Sequence, residues 1–574
     1  MAAITSVNDI DLKRLQGKQY TNFTREWREE FIYFLMVDRF HDGLARIPVT
    51  GNARSAGIQT PDHFYGGTIK GITRNLDYIA GLGCTAIWLS PVFENNDGAY
   101  HGYNIRNYLN IDPHFGTKDD LVELVNAAHG YQKNGEPYPI RIILDVVINH
   151  SGDNWFYKNE DQPGVNAYTY FNDLQFDFGD WRNAAFPLPA ELRNPDLYHR
   201  RGNMQNYDTY PENQHGDMSG LKDYSNDDDA DGSELINILI RAHCYWIREA
   251  DIDGFRVDAV KHMGELACSR FCSGIREYAY SLGKRNFFLF GELAVTSDAI
   301  YNRYIGQNTS RADNQTVYFG INSLLDFRLA KGIDNDPSNA GLRQIIRGSA
   351  DPSSLFNRLK AQESRALNRG EIGRYLVSFV DNHDSFWQPD GRIAAGSSDG
   401  QVIASIGFLL CALGTPCIYY GTEQGFTGSG SDNNMREAMF DKNDPSRSLL
   451  NTVSTIYKEI AKIAEVMRTQ APLRFGRMYY RTISGNGTDF GLPFGNTYTL
   501  AFSRLLYGTE ILVAYNVSSE ERNDFISVES SYHRAGDTLN FLYGDTGSVR
   551  IHASPGGGLS VQLNLKGHQF VVMG

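Results

Sequence analysis

Arg141-Ile142-Ile143-Leu144-Asp145-Val146-Val147-Ile148-Asn149-His150 is a short run rich in Ile and Val that ends on polar, ionisable residues. Such a run reads as a β-strand, and seven others share its character: Phe31–Phe40, Cys84–Phe93, Ile252–Val260, Asn286–Leu293, Val317–Phe327, Tyr375–Asp384 and Pro416–Glu423. Between them lie amphipathic stretches with helical spacing: Ile72–Leu82, Lys118–His129, Ser233–Glu249, Val260–Leu282, Gln401–Leu413 and Ser454–Arg468. Thr117 followed by Lys118-Asp119-Asp120 is a helix start, with a hydroxyl cap and acid in the first turn. Eight strands with helical crossovers predict an α/β chain built on a parallel (β/α)8 barrel, the TIM-barrel architecture.

Two regions break the alternation. After the third strand, 151–231 is rich in Gly, Asn, Asp and Tyr without a sustained period, too long for an ordinary loop, and is expected to be a small inserted domain. From 476 to 574 helical patterns stop, and runs such as Thr497–Phe502, Glu510–Tyr515 and Gln569–Met573 between Gly-rich turns predict a C-terminal all-β sandwich. The expected organisation is therefore a polar arm (1–30), a barrel (31–150 and 232–475), the insert and the sandwich.

The chain has 574 residues, a soft prior of about four domains or fewer if one is a large barrel. Its net charge of −14, with no Lys/Arg-rich run, argues against nucleic acid or an anionic membrane as partner. No apolar stretch approaches the ~20 residues that span a bilayer. Met1-Ala2-Ala3-Ile4-Thr5 lacks a basic segment followed by an apolar core, so a cytoplasmic protein is expected if the chain is native at its start, and a secreted one if a leader has been removed. Six cysteines are too sparse for a disulfide framework, and reduced thiols are expected, including Cys268 and Cys272 on one helix face.

In a barrel of this kind chemistry gathers where the strands end. Asp145-Val146-Val147-Ile148-Asn149-His150, Arg256-Val257-Asp258, Gly291-Glu292 and Asp381-Asn382-His383-Asp384 each put ionisable groups directly behind an apolar run, where burial is costly without partners. A lone Asp there is more often a turn former, Arg256–Asp258 alone could be a structural ion pair, and a lone His150 or His383 is usually a satisfied core residue. Concurrence at four strands outweighs those readings. The period of two puts Arg256 beside Asp258, which should keep that carboxyl charged and suit a nucleophile. Glu292, behind Phe288-Leu289-Phe290, should sit drier with a raised pKa, as a general acid does. Asp384 adds a third carboxylate that could stabilise positive charge at an anomeric carbon. Nucleophile, acid and oxocarbenium-like transition state make the retaining glycosidase scheme, which expects the two reacting carboxyls ~5–5.5 Å apart.

At these residues the sequence resembles the α-amylase superfamily, glycoside hydrolase family thirteen. Asp145–His150, Gly254–His262, Gly291-Glu292 and Phe379–Asp384 are similar to its four conserved blocks, and Asp38-Arg39-Phe40, Gly66-Gly67 and Trp88-Leu89-Ser90-Pro91 to segments around the first strands. Tyr100-His101-Gly102-Tyr103 matches the loop flooring the sugar pocket. The resemblance implies Asp258 as nucleophile, Glu292 as acid/base and Asp384 as transition-state stabiliser. It implies substrate contacts from His101, Tyr103, His150, Arg256 and His383, with Lys261 and His262 on the leaving-group side. It also implies Ca²⁺ bound by Asn149, Asp223 and the carbonyl of His262, although Gly220-Leu221-Lys222-Asp223-Tyr224 departs from the family's wording. Asp42-Gly43 opens like another calcium loop, but Leu44-Ala45-Arg46 brings no donors.

The expected activity is a starch-acting glycosidase cleaving α-1,4-glucosidic bonds in glucans or maltooligosaccharides. The alternative is a transglycosylase of cyclodextrin, glucanotransferase or trehalose-forming type on the same site. A non-catalytic carbohydrate-binding relative is more remote, because all three carboxylates are present.

Overall fold

The computed structural model describes residues 4–160, 167–170, 174–227, 232–305, 320–333, 336–366, 376–385, 387–555 and 557–574. Eight parallel strands close a barrel: Ile32–Leu35, Ala86–Leu89, Arg141–Val146, Gly254–Val257, Phe288–Gly291, Ser323–Leu325, Leu376–Ser378 and Thr415–Tyr419. Each pairs with the next in sequence, and Ile32 opposite Cys417 joins the last strand to the first. Seven predicted strands each contain one of these, and the eighth, Pro416–Glu423, overlaps Thr415–Tyr419, which starts one residue earlier. The strand proper is shorter because pairing ends where the chain bends into the mouth loops. Phe31–Phe40, for instance, is a strand only to Leu35 and then turns helical over Val37–Phe40. The first residues of the sixth and seventh predicted strands, 317–319 and 375, lie outside the described residues, as do Asp228 and Asp229 of the acidic turn.

Helix Lys118–His129 begins as its sequence predicts, with the Thr117 hydroxyl accepting from the Asp120 amide and Asp120 returning the bond to Thr117. Two predicted helices are broken. Ile72–Leu82 belongs to two pieces, Ile69–Thr73 and Leu76–Leu82, and the long run after strand four starts only at Glu265, behind a 3-10 turn over Val260–His262 and a Gly264 cap.

The segment between strands three and four carries two small antiparallel pairs, Trp155–Tyr157 with Phe178–Trp181 and Lys222–Asp223 with His150–Ser151, and a helical turn Glu212–His215. The last pair ties it directly to the end of strand three. The N-terminal stretch is less polar in its packing than in its composition: Val7, Ile10, Tyr20 and Trp27 are buried, and Trp27 stacks on Phe288 with centroids 4.3 Å apart. At the C-terminus nine strands from Arg477 to Met573 form one continuous antiparallel sheet. It wraps a core of its own that includes Leu512, Ile526, Ile551, Val561 and Met573. All six cysteines are buried, and none is joined in a disulfide. No helix among the described residues is long and apolar enough to cross a membrane.

Candidate active site

The ends of strands three, four, five and seven meet at one side of the barrel, around Arg256. Its register opposite Asp145 on one neighbour and Phe290 on the other sets it between two carboxylate-bearing strands. Nη1 lies 2.8 Å from Asp145 Oδ1 and 2.6 Å from Asp258 Oδ1, and Nη2 lies 3.0 Å from Glu292 Oε2. One buried guanidinium therefore holds three carboxylates. The Ala259 amide also donates to Glu292, at 3.2 Å. Ala259 itself has φ +51°, a left-handed conformation uncommon without glycine, so the backbone right after Asp258 is strained where it serves the site.

Asp384 stands on strand seven's extension, held by a different cation. Arg436 Nη2 is 3.4 Å from Asp384 Oδ1, and its Nε donates to the His383 carbonyl at 3.0 Å. Tyr103 connects the halves: its hydroxyl is 3.0 Å from Asp145 Oδ2 and 2.8 Å from His383 Nε2, and its ring stacks near that of His383. The chain reaches Tyr103 through Gly102, at φ +91°, where a Cβ would fall 2.2 Å from the Pro91 carbonyl oxygen. Only glycine allows that approach. His101 Nδ1 accepts from the Tyr103 amide at 3.1 Å, and its ring lies roughly parallel to Tyr103.

Asp258, Glu292, Asp384, Tyr103, His150, Lys261, His262 and His383 all border one open cleft of about 970 Å³. Arg256 and His101 lie behind that surface. Lys261 pairs with Asp208 of the inserted segment, and His262 Nδ1 is 2.7 Å from the Asn213 carbonyl.

Burial pushes the Asp258 carboxyl well up, with Glu292, Asp145 and Asp384 adding to the rise and Arg256 opposing it. The sequence led us to expect a lone Arg256–Asp258 pair that keeps Asp258 charged. The structure corrects this, because the guanidinium is shared with Asp145 and Glu292. Burial likewise raises Asp145 to about 6 and raises Asp384, against Arg256 and Arg436 respectively. The imidazoles move the other way: burial lowers His150 and His262 to about 4, His101 to about 3 and His383 well below its usual value. These four rings are neutral at pH 7 and can exchange hydrogen bonds with neutral hydroxyls without adding charge.

The family profile described as "Alpha amylase, catalytic domain" matches residues 34–455. The chain belongs to the α-amylase catalytic-domain family. It is 27% identical over 571 residues to an "Alpha-amylase" of Streptomyces lividans, covering 88% of this chain and 56% of that protein. It is 26% identical over 499 residues to a "Cyclomaltodextrin glucanotransferase" of Klebsiella oxytoca, covering 80% of this chain and 69% of that one. Among solved structures it resembles the α-amylase from Geobacillus thermoleovorans complexed with acarbose, at 25% identity and a TM-score of 0.66, covering 96% and 98% of the two chains.

Around this α-amylase-family cleft, sequence reasoning missed Arg436, which holds Asp384, and among the lining residues Asp432 and the wall from the inserted segment, including Tyr207, Asp208 and Met218. Asp145 has no separate role in the sequence pattern, although its place on strand three directly opposite Arg256 follows once the strands are in register. Arg436 follows the eighth strand in a stretch without a motif, so nothing local marked it.

The calcium set fits poorly. Asn149 and Asp223 do meet, but through an Asn149 amide N–H donating to Asp223 Oδ1 at 3.3 Å. Asn149 Oδ1 accepts from Asn226, and the second Asp223 oxygen faces His199 Nδ1 at 2.5 Å. A hard cation takes six or more oxygens, and here the side-chain oxygens of Asn149 and Asp223 are already engaged by N–H groups. Asp42, the start of the other candidate loop, is taken by Arg46, 2.6 Å away. The metal-ligand grouping that the described residues do hold is His199, His215 and Asp227.

Proposed function

We propose that the protein is a retaining glycoside hydrolase cleaving α-1,4-glucosidic bonds of starch-type glucans or maltooligosaccharides. The observation that carries this reading is the single guanidinium touching both Asp258 and Glu292 at the mouth of an open cleft. Asp145, Asp258, Glu292 and Asp384 face two cations, Arg256 and Arg436. Asp145 and Asp258 are buried and Asp384 is partly buried, and desolvation raises these three carboxyls against the two cations, which favours a retained proton within the cluster. A retained proton is what the first step consumes.

Glu292 gives its proton to the glycosidic oxygen while Asp258 Oδ attacks the anomeric carbon. The bond to the leaving glucan breaks as the glycosyl–Asp258 ester forms. The Glu292 carboxylate then takes a proton from water, whose oxygen attacks the same carbon and frees Asp258, so two inversions leave the α configuration. Asp384 opposes the positive charge on the ring in each transition state. Arg256 stabilises the Asp258 carboxylate as it leaves. Neutral His150 and His383 bind hydroxyls, and Tyr103 offers its ring face to the sugar. No step runs through a metal.

The cyclomaltodextrin glucanotransferases among the relatives favour a second reading, transfer to a sugar hydroxyl in place of water. Incubation with maltoheptaose tests both. Proton NMR of early products should show the α anomer first, and chromatography should show only shorter fragments. Initial β anomer would refute the retaining scheme, and longer or cyclic products would establish transfer.

A further inference from the structure

Away from the carboxylates around Arg256, three side chains of the inserted segment converge. His199 follows the 3-10 turn Pro195–Leu197, His215 closes the helical turn Glu212–His215, and Asp227 comes after the Lys222–Asp223 strand. His199 Nε2 is 3.0 Å from Asp227 Oδ2, and His215 Nε2 is 3.1 Å from Asp227 Oδ1. The two rings lie 4.4 Å apart between centroids, inclined by 33°. All three candidate ligand atoms fall within 4.8 Å of one another. Behind His199, Asp223 Oδ2 engages Nδ1 at 2.5 Å, which leaves Nε2 as the nitrogen directed at the cluster. His199 is buried, whereas the Asp227 side chain is 39% exposed, so the point they share is reachable from solvent.

We propose that His199, His215 and Asp227 bind one divalent transition ion of the zinc class, with water completing its coordination. Two imidazole nitrogens and a carboxylate suit Zn²⁺ and its neighbours rather than Ca²⁺ or Mg²⁺, which take oxygen. Ligands at ~2.0–2.1 Å around a tetrahedral ion stand roughly 3.3 Å from each other. Each imidazole is near that distance from its own Asp227 oxygen, and the set, now spread within 4.8 Å, closes further around one ion. Asp223 fills the outer position that orients a metal-binding histidine through its other ring nitrogen. The ion would act on the cleft indirectly. Asp223 pairs with His150 across the small sheet, and the carbonyl of Asn213, two residues before His215, faces His262. Binding would therefore pin the inserted segment to two loops that border the substrate, and the proposal does not depend on which reaction the cleft performs.

The full chain, stripped by a chelator and dialysed, is titrated with Zn²⁺ against a chromophoric chelator, with the melting temperature followed in parallel. The wild-type protein should bind one tight equivalent and melt higher when loaded. His215→Ala and, separately, Asp227→Asn should each weaken that equivalent by at least about tenfold and lose the melting increment. Circular dichroism of both variants without metal verifies that they fold. Zinc binding of equal affinity and stoichiometry in wild type and in the folded variants would overturn the assignment, as would no binding by wild type at micromolar zinc. Displacement of the zinc by excess Ca²⁺ would overturn the transition-metal class.

Discussion

Strand four carries a buried charge cluster at each end, and the two are built on opposite principles. At its start, Asp251 and Asp253 face Lys284 and His129: Lys284 Nζ lies 2.5 Å from Asp251 and 3.1 Å from Asp253, and His129 Nε2 lies 2.8 Å from Asp253. Arg141 adds positive potential from strand three. Burial alone would raise Asp253, but Lys284 and His129 more than cancel it and hold the carboxyl down at about 2. At the strand's far end Arg256 is divided among three carboxylates, and burial wins, raising Asp145 and Asp258. A few residues separate a cluster with enough cations from one with too few. The balanced end ties the start of strand four to groups at or just past the ends of two helices, and the unbalanced end raises the carboxyls of Asp145 and Asp258, in keeping with the division between the two faces of such barrels.

The largest effect should come from the unbalanced end. Asp258→Asn removes the proposed nucleophile, and turnover on starch should fall by at least about a thousandfold, some 4 kcal/mol or more of transition-state stabilisation. Because it also removes one anion from an over-acidic cluster, its melting temperature should be unchanged or higher. A variant that is both inactive and strongly destabilised would show that this cluster, too, is structural. Asp253→Asn at the balanced end should do the reverse. Leaving Lys284 and His129 short of a buried partner should cost about 3–5 kcal/mol in denaturant unfolding, while kcat per folded molecule stays close to wild type.

The same contrast has a pH signature. Burial lowers the His129 pKa, but Asp253 and Asp251 outweigh it and raise the group from 6.5 to about 9. A raised histidine contributes stability that is fully present below its unfolded value near 6.5 and is lost as pH climbs through about 9. The loss, on the order of 3 kcal/mol, should appear as a falling melting temperature over that interval. His129→Gln should remove this group's share of the fall and leave that of His199, which Asp223 and Asp227 also raise to about 9 against burial. A wild-type curve that is level from pH 6.5 to 9 would mean that the imidazole is not charged in the folded protein.

Much of this was legible in the sequence, for identifiable reasons. The barrel was readable because a closed parallel sheet demands short apolar strands at regular intervals, and each of the eight predicted runs overlaps a strand. The carboxylates were readable because Asp258, Glu292 and Asp384 each end such a run, and charges recurring at several strand ends are not explained by turn formation one strand at a time. What escaped was whatever depends on register and on loops. That Arg256 serves Asp145 and Glu292 as well as Asp258 requires knowing that Arg256 lies opposite Asp145. The site formed by His199, His215 and Asp227 joins residues from three turns whose local sequence carries no period at all. The break before Glu265 was invisible because Val260–Leu282 keeps its helical pattern through Met263-Gly264, and only the demands of the strand-four loop interrupt it.

The cleft rim offers a third kind of charge pair and the smallest effect. Lys261, just past the proposed nucleophile, meets Asp208 of the inserted segment, whose side chain is 83% exposed. The hydrogen bond from Lys261 is the main reason the Asp208 carboxyl sits below its usual range. Solvent screens such a pair, so Asp208→Asn should change stability by less than about 0.5 kcal/mol. The released ammonium can then swing toward substrate, so KM for maltooligosaccharides should shift by no more than roughly threefold, with kcat unchanged, because the contact is equal in ground and transition states. A fall in kcat of tenfold or more would place Asp208 with the unbalanced cluster instead, as a group that positions Lys261 for the chemical step rather than one that merely shares the cleft with it.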